Sequence, residues 1–489
     1  MLKNILFFVF IIKCLGSYAQ NFERLFLNHF DSYATDVLQI GNAYYISCNN
    51  VSDNSNNIEN IKSEIYKLDS DGNLVNIINF NFLNNHVKIN RLINVNNDIF
   101  IYGTNSVDAS SFNQKAFIAR IDTNLNIKYL QNYFTENVAY SFMYVTEFDS
   151  TNFLSYYLPG YPYYISLINK NNGSVELKKL RADFPFYSLV YLKNKNLIHL
   201  YAFNQFSFPI ISLDDINFDI IDSIYYQSLN NSKKSNLQIN DSTYIIASEY
   251  LKNTPNNPDA HWDLSIIKVN HELNNIEDIV YNSFPATLSH VGATTSAFAF
   301  CKSDSNIIYY GGTYNYTVPI PSDFVQQKRR FELLKIDRQG HFVDRKIFSN
   351  NNESYSVVMN SLYATNDGGC IMVGSYWDYG GPSPEQKRGV YVLKVDSLGN
   401  FSPSLQINKS NDIERNIYLF PNPNTDRTLN FKGFNIGDRI ILYSIQGQLI
   451  NNIPIEDRIN LSDLSNGIYL YSILSKEGEI IKKDKLILY

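Results

Sequence analysis

One hairpin, repeated, limits what this chain can fold into. Its clearest copy is VYVLKVDSLGN, Val390 to Asn400, an alternating apolar strand that stops at Asp396 and turns back through Gly399. Copies of it are IYKLDSDGNLV from Ile65, FIARIDTNLNI from Phe117, YISLINKNNGSV from Tyr164, PIISLDDINFDII from Pro209, LSIIKVNHELNNI from Leu264 and FELLKIDRQGHFV from Phe331. The turn-entry residues read as Asp69, Asp122, Asn169, Asp215, Asn270, Asp337 and Asp396, spaced 46 to 67 residues apart. The copy at Pro209 lacks both the basic residue and the glycine, and the period carries it into the set.

A second hairpin precedes each copy, a polar turn followed by a short apolar strand. The set is GNAYYIS at Gly41, NNDIFIYG at Asn96, DSTNFLSYY at Asp149, KNKNLIHLY at Lys193, NDSTYIIAS at Asn240, DSNIIYYGG at Asp304 and NDGGCIMVG at Asn366. Polar turns between alternating apolar runs are a strong hairpin signal. Each unit therefore reads as four antiparallel strands, a to d, with tight a–b and c–d turns and a variable b–c loop. Seven such units predict an all-β chain, a seven-bladed β-propeller over 20–407 followed by a small C-terminal β-sandwich. A pair of β-sandwiches is the rival, but it does not explain why both hairpins recur at fixed positions. NFERLFLNHF, Asn21 to Phe30, looks like a d strand and is expected to close the ring as the outer strand of the last blade. The repeat resembles propeller-like repeats of secreted bacterial proteins over roughly 35 to 405, a resemblance that implies no activity.

Composition agrees with strands. The chain holds 37 Tyr and 32 Phe, and aromatic residues favour pleated, half-buried surfaces. A net charge of −6 lacks the basic face that nucleic acid requires, so no nucleic-acid partner is expected. Residues 1–19 read as a signal peptide, with Lys3, an apolar core from Leu6 to Ile12, and Ser17-Tyr18-Ala19 before Gln20. Lys3 and that core are too short a device to span a bilayer, which needs about 18 or more apolar residues, so no integral membrane segment is expected. Lys13 stands directly before Cys14, where a lipidation signal needs a small residue. Cys48, Cys301 and Cys370 are too few for a disulfide scaffold and read as small buried residues or one bridge.

After a polar linker at 408–416 the pattern changes, and alternating strands with glycines at turns fill 417–489. Phe420-Pro421-Asn422-Pro423, then ILYSIQGQ through Gly447, then LSDLSNGIY with Gly467 and Tyr469, and a Lys-containing last strand ending at Tyr489 occur in order. This segment resembles the type A C-terminal sorting domain of the Bacteroidetes type IX secretion system. The resemblance implies a partner, the type IX secretion machinery, engaged through 417–489. It also implies passage through the periplasm and delivery to the cell surface or the medium.

No chemistry announces itself in the rest of the chain. The DSDGN at Asp69 begins like a calcium loop, but the twelfth residue is Phe80 rather than a closing Glu, and a hairpin turn explains it. No metal site or cofactor is expected, no G-x-S-x-G or phosphate-cradling loop occurs, and no catalytic residue is nominated. The informative feature is loop asymmetry, because the b–c loops of the last three units are long. They carry Trp262, Tyr314, Tyr316, Arg329, Trp377, Asp378, Tyr379 and Arg388, aromatics and planar donors suited to a glycan or a protein segment. A non-catalytic binding or adhesion module is the leading expectation. A secreted hydrolase of polysaccharide or peptide and a passive surface scaffold are the alternatives.

Overall fold

The computed structural model describes residues 21–27, 31–52, 60–80, 86–106, 114–133, 141–158, 163–180, 188–201, 208–226, 230–252, 261–281, 297–300, 306–314, 329–348, 355–378, 388–401, 418–444, 449–474, 476 and 480–489. The signal-peptide and linker assignments fall outside these residues, as do Tyr316, Tyr379, Gly447 and Cys301. The chain divides into two compact units, Met1–Pro403 and Ser404–Tyr489.

The first unit is a β-propeller, with seven four-stranded antiparallel sheets among the described residues. The first sheet is Asp31–Ile40, Ala43–Ser52, Asn60–Leu68 and Leu74–Asn79, paired in chain order, and the next five repeat that order. The seventh departs from it. Tyr355–Ala364, Cys370–Asp378 and Arg388–Val395 take their fourth strand from the other end of the chain, Phe22–Phe26, which pairs antiparallel with Arg388–Val395. The closing role read from Asn21 to Phe30 is thus seen in its first half.

Strand alternation here does not separate inside from outside. It separates two cores. In the seventh sheet Ile371, Val373, Val390 and Val392 pack with Val37, Ile46 and Leu68 of the first sheet. Their neighbours Cys370, Met372, Tyr391 and Leu393 pack with Tyr309, Phe331 and Leu333 of the sixth. Because each sheet is covered on both faces, its middle strands read as nearly continuous apolar runs. Seven such cores join consecutive sheets, the last joining seventh to first, which is the condition for a closed ring. Cys48 and Cys370 are buried inside these cores and form no disulfide with each other.

The c–d turns share one design. Asp69 Oδ1 accepts the amides of Asp71 and Asn73 at 2.9 and 2.8 Å, and Gly72 adopts φ +79°. Asp396 treats Leu398 and Asn400 the same way, with Gly399 at φ +75°. The fourth sheet corrects the sequence reading by one residue. Asp214, not Asp215, accepts the amides of Ile216, Asn217 and Asp219, and Phe218 takes the positive φ that lacks a glycine. Two adjacent aspartates made the register ambiguous in sequence, and only the turn amides select between them.

These turns also receive the preceding sheet. Lys67 Nζ donates to Thr123 O at 2.8 Å, Lys268 Nζ to Gln339 O at 3.1 Å and Lys335 Nζ to Ser397 O at 3.0 Å. Tyr45, Tyr281 and Tyr309 hydroxyls donate to Thr123 O, Gly340 O and Ser397 O in the same sense. At the seam Arg24 of the closing strand takes this part, with Nη2 donating to Asp71 O at 2.6 Å and Nε to Gly72 O at 3.0 Å. Phe22 seats its ring where a Cβ on Gly72 would approach to 2.4 Å.

The second unit holds a three-stranded sheet, Tyr418–Phe420, Thr428–Lys432 and Arg458–Asn460, and a four-stranded sheet. The latter runs Leu449–Pro454, Arg439–Ser444, Gly467–Leu474 and Ile480–Leu488 in spatial order. Leu429, Phe431 and Ile459 of the first share one core with Leu442, Tyr471, Ile473, Leu486 and Leu488 of the second.

Gly72→Ala places a methyl against Phe22 in a left-handed backbone position, and the expected cost is about 1–3 kcal/mol. Chemical denaturation of both proteins checks it, and an unchanged midpoint would show that Phe22 does not seat there.

Candidate functional site

In the second unit the Phe-Pro-Asn-Pro segment lies along the last strand, Ile480–Leu488. Asn422 extends its side-chain amide against that strand, where Oδ1 accepts Ile487 N–H at 3.0 Å and Nδ2 donates to Lys485 O at 2.7 Å. Asn424 continues with its backbone, its N–H donating to Ile487 O at 2.8 Å and its carbonyl accepting Tyr489 N–H at 3.0 Å. The Asn424 side chain is fully buried, and its Nδ2 donates to Thr428 O at 2.7 Å. Both X–Pro bonds, Phe420–Pro421 and Asn422–Pro423, are cis, and the ammonium of Lys432 sits 5.6 Å over the Phe420 ring. Gly467 opens the strand Gly467–Leu474, and the Tyr469 hydroxyl donates to Ser465 O at 2.9 Å. Sequence reading named Phe420, Pro421, Asn422, Pro423, Gly467 and Tyr469 but missed Asn424 and Arg427, whose Nη1 donates to Leu464 O at 2.7 Å.

At the b–c end of the propeller the strands run further than the sequence suggests. Trp262 belongs to His261–Asn270, opposite Leu251. Trp377 and Asp378 end the strand Cys370–Asp378, where Trp377 shares a rung with Arg388 and with Ser356, and Asp378 faces Tyr355. Tyr314 ends Ile307–Tyr314, opposite Arg330. Trp262, Tyr314, Trp377, Asp378 and Arg388, read as loop, are therefore strand ends, because aromatic and β-branched side chains favour continuing a ladder. Arg329 is half-buried, and its backbone N–H donates to Ser356 Oγ at 3.1 Å. The ladder thus brings Trp262, Tyr314, Trp377, Asp378 and Arg388 to one end of three consecutive sheets.

A polar chain that sequence reading did not find runs along the first strands, which contact one another around the ring. Five of them carry a β-bulge, and the residues after it are Asp36, Arg91, Tyr144, Asn236 and Ser361. Ser361 Oγ donates to Asp36 Oδ1 at 2.6 Å and Leu92 N–H to Asp36 Oδ2 at 2.9 Å, tying the seventh, first and second sheets. Arg91 Nε lies 3.8 Å from Asp36 Oδ2, and its guanidinium sits 5.3 Å over the Tyr144 ring. Tyr144 Oη donates to Asn236 Oδ1 at 3.4 Å, and Asn236 Nδ2 donates to Ser188 Oγ and Tyr201 Oη, both at 3.1 Å. Burial opposes the Arg91 charge, but Tyr144, Tyr102 and Asp36 outweigh it and hold the guanidinium above its ordinary range. Its side chain is 41% accessible. The signal in sequence was a polar residue breaking the alternation of each first strand.

Among the described residues no group of three or more His, Cys, Asp or Glu could hold a metal ion, and no helix is long and apolar enough to cross a membrane. A cleft of about 510 Å³ opens on the tight-turn side between the first and second sheets, lined by Tyr45, Lys67, Asp69, Val75 and Thr123. Lys67 and Tyr45 in it already donate to Thr123 O.

Residues 418–488 match the family model described as a secretion system C-terminal sorting domain. The chain therefore carries a type IX sorting domain at its C-terminal end and is exported to the cell surface or secreted. No curated protein matches the chain. It is similar to the Dos1 propeller, at 12% identity over 77% of this chain and 95% of that one, with a TM-score of 0.41. It is also similar to the β-propeller domain of the Trilobed protease from Pyrococcus furiosus, at 8% identity over 78% and 98%, with a TM-score of 0.41. Kuenenia stuttgartiensis hydrazine synthase matches at 8% identity over 69% and 92%, with a TM-score of 0.43.

Two buried titratable groups sit between sheets. Glu332, 2% exposed, faces Arg345 Nη2 at 2.6 Å, and burial, aided by the nearby Asp263 charge, pushes its carboxyl up to about 7. His199 is fully buried, its Nδ1 sits 3.0 Å from the Tyr244 hydroxyl, and burial lowers its pKa to about 4. Unfolding releases His199 to its ordinary value of 6.5, so the unfolded chain binds an extra proton between about pH 6.5 and 4. Stability from this group is intact above pH 6.5 and falls toward pH 4, by up to about 3 kcal/mol. Denaturation midpoints of the wild type and His199→Gln, taken from pH 7 to pH 4, should converge as acid is added. A constant gap would show that His199 does not titrate in this way.

Proposed function

We propose that this exported protein is a non-catalytic binding or adhesion module, recognising a glycan or a protein through the b–c face. One observation carries the reading: Trp262, Tyr314, Trp377, Asp378 and Arg388 come together at one end of three consecutive sheets. A ring of sheets gives those strand ends a rigid base, and aromatic side chains with two rotatable bonds lose little entropy on binding. With Arg329, Tyr316 and Tyr379, they form the proposed contact set.

The same reading treats each four-stranded sheet as a blade, giving a seven-bladed propeller over 20–407, supported by the seven shared inter-sheet cores. The linker 408–416 and a small β-sandwich over 417–489 complete it, supported by the common core of the two C-terminal sheets. A signal peptide at 1–19 delivers the chain to the periplasm, from which the sorting domain takes it outward.

Glycan and peptide arrays probed with the secreted protein and with its Trp377→Ala variant test the reading. The wild type should bind a definable subset, and the variant should bind that subset at least tenfold more weakly. Absence of any wild-type binding, or equal binding by both proteins, would overturn it.

A further inference from the structure

The outer edge of the last strand points to what the Phe-Pro-Asn-Pro segment is for. One edge of Ile480–Leu488 pairs with Gly467–Leu474. On the other edge, the outward groups of Lys485, Ile487 and Tyr489 are taken in turn by Asn422 and Asn424, through the four bonds described above. The Asn422 amide imitates a peptide unit, with one acceptor and one donor presented at strand spacing, and Asn424 adds a parallel bridge to Leu488. Asn424 is in turn tied to Thr428 O, so this pseudo-strand is fixed to the neighbouring sheet.

We propose that Asn422 and Asn424 are positioning residues for sorting: they hold residues 485–489 in place, and the secretion machinery reads the held C-terminal strand rather than the segment itself. The surface so presented includes the exposed side chains of Asp484, Lys485 and Tyr489. Ile487 supplies a test from the opposite side of the same bond. Its N–H and C=O both face the segment, so Ile487→Pro removes the donor to Asn422 without removing a hydrogen bond to Gly467–Leu474.

Full-length Asn422→Ala, Ile487→Pro and the double variant are expressed in the producing bacterium, and surface plus medium delivery is measured. Hydrogen exchange is measured on each purified protein. Exchange over residues 485–489 should rise about tenfold in both single variants while the strand Thr428–Lys432 keeps its protection. Delivery should fall several-fold in both, and the double variant should do no worse than the poorer single. Asn422→Asp, which keeps the acceptor and loses the donor, should fall between. Three results would overturn the proposal: delivery lost in Asn422→Ala with exchange unchanged, normal delivery by Ile487→Pro beside a blocked Asn422→Ala, or normal delivery despite loosened ends. Loss of protection throughout Thr428–Lys432 would also overturn it, because the segment would then be a fold determinant and not a clamp.

Discussion

The propeller depends on a turn carbonyl receiving a donor from the sheet before it. A c–d turn leaves carbonyl oxygens at its outer tip, and a buried or half-buried carbonyl without a partner is costly. Where the preceding sheet supplies that partner, it comes from a lysine or arginine on its third strand, or from a tyrosine, as at Lys67, Lys268, Lys335 and Tyr281. Each bond joins one repeat to the next, so the unit of stability is the junction and not the sheet. The repeat must then return to its start, and Arg24 and Phe22, separated in sequence from the seventh sheet by most of the chain, make the last junction. Lys394, which occupies the lysine position in the seventh sheet, turns inward to Asp367 at 2.8 Å instead, leaving the seam to Arg24.

This explains why the lysine and the aspartate of the repeat travel together in sequence. Val390 to Asn400 reads as a hairpin, and Asp396 and Gly399 do build its turn. The partner of the lysine lies in the following repeat, about one period away, and no local pattern shows it. The strand pattern and the closing strand were legible because alternation and turn residues are local signals. The strand ends at Trp262 and Trp377 were not, because a ladder stops where its partner stops. The bulged chain from Ser361 through Asp36 and Arg91 to Asn236 was hidden for a related reason. Each of its residues looks like an isolated polar interruption until the ring brings the first strands together.

The C-terminal unit was legible in a different way. Its motifs identified a sorting domain, while the reason for them lies in geometry. Asn422 and Asn424 act on the outer edge of the last strand, and an edge strand left open invites unwanted pairing. Covering it with a side-chain amide and two backbone groups settles that hazard and fixes the chain end together. In the propeller the same economy appears at the opposite terminus, where Phe22–Phe26 covers the open edge of Arg388–Val395.

Closure by the N-terminal strand is the claim on which the rest stands, since a ring without it has an open edge and one exposed core. Hydrogen exchange over Arg388–Val395, compared between the full chain and one lacking residues 21–27, tests it most directly. The truncated protein should lose protection on the outer-edge amides of that strand and regain it when a peptide of sequence NFERLFL is added. Unchanged protection after truncation would contradict it.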